Sequence, residues 1–236
     1  MSSFDFEAWA LTPPDEQNTI CDVTLGSPVK HGGEPVHSIR FGPFLGAHAR
    51  FTPEKLETNE DVLELSGQLT GLPPSFFNEL EAEDFGEVIR ATLRVSWPVL
   101  DMPQSWEAVE ERKKPGERRE MPRVEAPFHL TLEKEVESGP LRVSVLEFGK
   151  FTGAIARQCP AMALPVRQHP WLIEKLTDQP KRVIDRLEGK DLWRAMVVAQ
   201  LFFWRLRATG ERSRPSSPGA SGGGPASSLD SARTSS

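Results

Sequence analysis

The sequence predicts an α+β protein made of two repeated units, each a β-hairpin followed by three or four helices, with disordered termini. Three observations predict this: a long stretch written twice, glycine turns between alternating apolar residues, and a C-terminal tail poor in apolar side chains. The repeat comes first, because periodic self-similarity constrains every later assignment. Residues 69–97, LTGLPPSFFNELEAEDFGEVIRATLRVSW, return 107 positions on as residues 176–204, LTDQPKRVIDRLEGKDLWRAMVVAQLFFW, with no gap. Leu69, Thr70, Pro73, Leu80, Glu81, Asp84 and Trp97 recur as Leu176, Thr177, Pro180, Leu187, Glu188, Asp191 and Trp204. The same offset holds upstream, where Phe41-Gly42, Phe44, Gly46-Ala47 and Ala49-Arg50 reappear as Phe148-Gly149, Phe151, Gly153-Ala154 and Ala156-Arg157.

The expected organisation is a flexible segment over 1–21, a first unit over 22–103, a charged linker over 104–127, a second unit over 128–208 and a disordered tail over 209–236. A unit this small buries only about 60% of its unfolded surface, so the two have reason to pack on each other or on a partner.

Each element has its own signal. In the first hairpin Val23, Leu25, Val36 and Ile39 are apolar around the turn His31-Gly32-Gly33-Glu34, where glycine supplies positive φ. The second places residues 129–136 and 141–148 around Glu137-Ser138-Gly139-Pro140. A two-stranded ribbon is unstable alone, so each must lie on helices. The small residues Gly46, Ala47 and Ala49, with Gly153, Ala154 and Ala156, permit a closely approaching short helix. Thr58, three residues before Asp61, forms a capping box that opens a helix ended by Gly71. Residues 168–177 hold the same place in the second unit.

Pro73-Pro74 and Pro180 suit the first turn of a short helix. A longer helix follows Glu81 and Glu188, its early acids complementing the dipole. The second long helix is apolar nearly all round through residues 192–204, so it is either a central helix or a face awaiting a partner. The tail from Thr209 is Ser, Gly, Pro and Ala and cannot bury enough surface to fold.

Composition bounds the function. Net charge is −6, but residues 1–104 carry 6 basic and 17 acidic side chains, while the remainder carries 22 and 17. Halves of opposite sign favour docking between units or between subunits. The basic residues are interleaved with acids, so no nucleic-acid stripe is expected. No apolar run reaches the ~20 residues of a membrane span, and no signal peptide is read at the acidic N-terminus. Cys21 and Cys159 do not match in the repeat, which points to a reducing compartment.

Catalytic and metal patterns are missing. His31, His37, His48, His129 and His169 form no metal-ligand spacing. Cys159 and His169 lack a visible orienting group or oxyanion site. No phosphate loop or nucleophile elbow occurs. No enzyme, cofactor or metal is expected.

The residues Thr24 to Val36, then Gln68-Leu69-Thr70-Gly71-Leu72-Pro73-Pro74 and Leu80-Glu81-Ala82-Glu83-Asp84-Phe85, resemble the tail assembly chaperone family of Mu-like and related tailed phages. The likeness covers roughly residues 22–97, and 129–206 through the repeat. This chain departs by carrying two units, by Arg40-Phe41-Gly42-Pro43 after the second strand, and by losing Gly71, Leu72 and one proline in the second copy.

The resemblance implies a non-enzymatic protein of the bacterial cytoplasm. It would bind the tape-measure protein, or another tail protein, during tail assembly, with self-association possible and no nucleic-acid or membrane partner. The alternative is a structural component of a tail or contractile injection particle. A helix-in-groove mode would engage an amphipathic partner. Phe76, Phe77, Phe85, Trp97, Trp193, Phe202, Phe203 and Trp204 are the expected core or partner-binding residues.

Overall fold

A computed structural model describes residues 20–52, 58–100, 102, 124–159 and 164–211. The chain is a mixed α+β protein with two antiparallel hairpins and several helices. The segments expected to be flexible at 1–21 and disordered at 209–236 lie largely outside the described residues, as does most of the linker.

Strands β1 (Cys21–His31) and β2 (Glu34–Phe41) pair from Cys21–Phe41 to His31–Glu34. Gly32 and Gly33 both take positive φ, 62° and 92°, as a two-residue primed turn requires to match strand twist. Strands β3 (Phe128–Ser138) and β4 (Leu141–Phe148) pair from Phe128–Phe148 to Ser138–Leu141. Their turn is Gly139-Pro140, with Gly139 at φ 63°. Proline's fixed negative φ suits the second central position here. The strand thus continues through Ser138, two residues beyond the expected end. The four strand limits of the second hairpin are those of the first plus 107.

Each hairpin carries an irregularity in its first strand, between Thr24 and Val29 and between Thr131 and Val136. There β1 and β3 gain residues relative to their partners, leaving backbone N–H groups without a ladder acceptor.

Helix α1 (Gly46–Phe51) follows the first hairpin. Helix α2 (Asn59–Thr70) starts at the expected box, where Thr58 Oγ1 accepts from the Asp61 N–H (3.2 Å) and Asp61 accepts from the Thr58 N–H (2.9 Å). It stops at Gly71, φ 74°, whose N–H donates to the Gly67 carbonyl. Helix α3 (Pro74–Phe77) leads into α4 (Ala82–Leu100). In the second half come α5 (Gly153–Ala156), a 3₁₀ turn (Val166–Gln168), α6 (His169–Thr177), α7 (Lys181–Ile184) and α8 (Gly189–Glu211). Helix α8 runs through Glu211, past the expected end of the ordered unit at residue 208.

One hydrophobic cluster joins side chains of both halves. Helix α4 lies on β1 and α2, and α8 lies on β3 and α6. Ala195, Met196, Val197, Val198 and Ala199 of α8 are all fully buried, so this helix is central rather than a face left open.

Candidate functional site

Six of the eight aromatic residues proposed for core or partner binding are core. Phe76, Phe77, Trp193, Phe202, Phe203 and Trp204 are each at most 7% exposed. Phe76 and Phe77 meet edge to face at 5.6 Å, and Phe202 stacks on Phe148. Phe76 lies edge-on to His31 of the first hairpin and Phe202 lies on Phe148 of the second, and burial of all six leaves them no surface in this conformation. Phe85 is half-buried. Trp97 lies on α4, and its side chain falls outside the described residues.

The recurrent acids have a fuller role than dipole compensation. Asp84 accepts from the Gly26 N–H (2.9 and 3.1 Å) and the Ser27 N–H (3.3 Å). Asp191 accepts from the Glu133 N–H (2.9 and 3.0 Å) and the Lys134 N–H (3.0 Å). These are the amides freed by the strand irregularities, so each carboxylate pins its hairpin to the first turn of the long helix. Charge-assisted bonds of this type are about twice as strong as neutral ones. Ser27 Oγ donates to Glu81, and Lys134 binds Glu188. The recurrence of Glu81-x-x-Asp84 as Glu188-x-x-Asp191 was a signal for this clamp, masked because the same acids suit any helix start.

The second construction is a seam between the halves. The Gly46 N–H donates to the Leu187 carbonyl (2.9 Å) and the Ala47 N–H to the Asp185 carbonyl (3.1 Å), while Leu45 bridges Glu188. A Cβ on Gly46 would stand 2.1 Å from the Ile184 carbonyl oxygen, so only glycine allows this approach. Arg50, at 13% side-chain exposure, binds Glu174 and Asp185 together. Sequence showed the small residues but not what they approach.

A groove of about 430 Å³ opens along this seam, lined by Leu45, Lys134, Val136, Arg186, Glu188 and Asp191 among others. Its charged groups are engaged: Asp191 in the clamp, Lys134 with Glu188, and Arg186 with the Glu137 carbonyl. Its walls offer shape and fixed charge rather than a free nucleophile.

The other titratable groups are dispersed. His169 is fully buried in α6, with Nδ1 3.1 Å from the Pro165 carbonyl, and burial pushes its imidazole down to about 4. Cys159 is half-buried against the core. His48, its pKa lowered by burial, accepts at Nδ1 from the Leu45 N–H (3.0 Å). His31 packs edge-on against Phe76 and His37 is exposed. Among the described residues no three His, Cys, Asp or Glu side chains gather as a metal site, and no helix is long and apolar enough to cross a membrane.

Compared with known proteins, the chain matches no family model, no curated sequence and no solved structure.

Proposed function

We propose that the chain is two copies of one small α+β module and serves as a tail assembly chaperone, holding a long apolar helical partner, the tape-measure protein, while a tail is built. The observation that carries the reading is the signature segment. Gly71 stops α2, Pro73-Pro74 opens α3, and Asp84 clamps the hairpin. The segment 107 residues on repeats the arrangement with Asp178 at positive φ, Pro180 and Asp191. Those residues shape the module, and they are the ones through which the sequence resembles that family.

A surface for the partner is available on α4. Phe85, Ile89 and Leu93 are half-buried at four-residue spacing, which puts them on one face of the helix. Leu192, Met196 and Gln200, the residues 107 positions on, are fully buried. An amphipathic helix would lay its apolar side along the α4 stripe.

Co-expression with a long, coiled-coil tail-length protein tests this. The full chain should carry that protein into the soluble fraction, and Ile89→Lys should reduce the yield while leaving far-UV circular dichroism unchanged. A partner equally insoluble with and without the chain would sink the proposal. Mass spectrometry of finished particles separates the structural-component reading, which requires the chain at fixed stoichiometry, from a chaperone, which should be absent.

A further inference from the structure

We infer that copies of this chain join head to tail, the α5 segment of one entering the α3–α4 corner of the next, through the joint that already holds the two halves of each chain together. The inference rests on the two-module reading above. Inside the chain, the segment Leu45-Gly46-Ala47 with Arg50 is a plug. The turn Ile184-Asp185-Arg186-Leu187-Glu188 is its socket, offering the Asp185 and Leu187 carbonyls.

Both parts exist a second time. The plug recurs as Thr152-Gly153-Ala154 with Arg157, and its backbone has the same form: Leu45 stands at φ −103°, ψ 161° and Thr152 at φ −95°, ψ 161°. The socket recurs as Phe77-Asn78-Glu79-Leu80-Glu81, with Asn78 at φ −73°, ψ −16° against Asp185 at φ −61°, ψ −20°. Its turn is closed by Leu80 N–H to the Phe77 carbonyl (3.4 Å), as Leu187 N–H closes the other onto Ile184 (3.2 Å).

Among the described residues these second versions are open. Gly46 is buried, but Gly153 and Ala154 are exposed, and nothing lies within 4 Å of a Cβ built on Gly153. Leu187 is fully buried, whereas Leu80 is half-buried and Asn78 and Glu81 are exposed. The joint is not self-complementary: plug and socket are different surfaces. One chain can fill one pair internally, and the leftover plug and leftover socket are then complementary between copies. Such a heterologous contact generates a ring if its rotation closes and a filament if it does not.

Charge favours the same pairing. The open socket lies in the acidic half, beside exposed Glu79, Glu81 and Glu83, and the open plug carries Lys150 and exposed Arg157 in the basic half. One difference weakens the joint between copies. The two acids that hold Arg50, Glu174 and Asp185, are replaced in the open socket by Gly67 and Asn78. Association is therefore reversible and concentration-dependent, and salt reduces it.

Sedimentation of the full chain from micromolar to millimolar concentration tests the inference. The wild type should grow in mass with concentration. Ala154→Trp, which blocks the plug, and Asn78→Trp, which blocks the socket, change exposed residues and should each weaken self-association at least about tenfold. Mixed together, the two variants keep one good plug and one good socket, and should form heterodimers and nothing larger. A wild type that stays monomeric overturns the inference, whatever covers the socket; so do single variants that assemble like the wild type, or a mixture that does not pair. Thermal melting of each variant shows that its fold is intact, and Gly153→Glu gives a second plug variant. Partner solubilisation is read separately: a monomeric chain that still carries the helical partner sinks this joint alone. An oligomer that cannot carry it sinks the chaperone reading alone.

Discussion

Replacing Asp191 by Asn isolates the hairpin clamp. The side chain is 5% exposed and accepts the N–H groups of Glu133 and Lys134, with Arg194 Nη1 3.5 Å away. An Asn amide keeps one acceptor oxygen but turns an NH₂ donor toward the other N–H. One buried donor without an acceptor costs about 1–3 kcal/mol. Loss of the negative charge in the first turn of α8 adds about 0.3–1 kcal/mol. The expected cost is therefore about 1–4 kcal/mol, read as a lowered urea midpoint. Asp84→Asn should cost a similar amount, since Asp84 is 7% exposed and accepts from Gly26 and Ser27. Glu83→Gln is the control: Glu83 is an exposed first-turn acid whose effect is limited to the dipole. If Asp84→Asn costs no more than Glu83→Gln, the clamp does not hold the hairpin and the argument is refuted.

Other perturbations bear on the seam and the core. Gly46→Ala forces a Cβ against the Ile184 carbonyl and should lower the melting midpoint by the equivalent of about 3 kcal/mol or more. Gly153→Ala meets open space and should be neutral or stabilising by up to about 1 kcal/mol; equal effects at the two glycines would contradict the asymmetry of the seam. Arg50→Ala removes the cation shared by the carboxylates of Glu174 and Asp185, each about one-fifth exposed; Asp185 keeps Lys181 Nζ at 2.9 Å, so the loss falls mainly on Glu174 and should cost about 1–3 kcal/mol, with Arg50→Lys recovering part in the same denaturation assay. His169 is depressed from 6.5 to about 4 by burial, so the folded state resists the proton that the unfolded state accepts. Stability is then fully present above pH 6.5 and falls as pH drops toward 4, by roughly 3 kcal/mol from this group. His169→Gln should flatten that segment of the stability profile, and an unchanged slope would remove the assignment.

Local signals in the chain were sufficient for the local structure. Gly32-Gly33 and Gly139 fixed the hairpin turns through positive φ, Thr58 with Asp61 set the start of α2, and Gly71 set its end, because each acts within a few residues. The constant spacing of recurring residues placed both hairpins and both proline-led helices at equivalent positions before any tertiary contact was known. The candidate site was less legible. Aromatic residues on an amphipathic helix carry the same pattern whether they meet the molecule's own hairpin or a partner, and burial of Phe76, Phe77 and Trp193 decided it.

Tertiary structure alone decided the asymmetry. Gly46-Ala47 and Gly153-Ala154 are the same dipeptide in the same motif, yet the first is docked and the second exposed. Their N-caps differ, Leu45 against Thr152, but neither cap says which dipeptide docks. The first meets the Ile184 carbonyl across the seam, and the second meets nothing within 4 Å of a Cβ built on Gly153 among the described residues. Likewise Asp84 and Asp191 read as helix-start acids in sequence, and only the arrival of distant strand amides, 57 and 58 residues away, made them clamps.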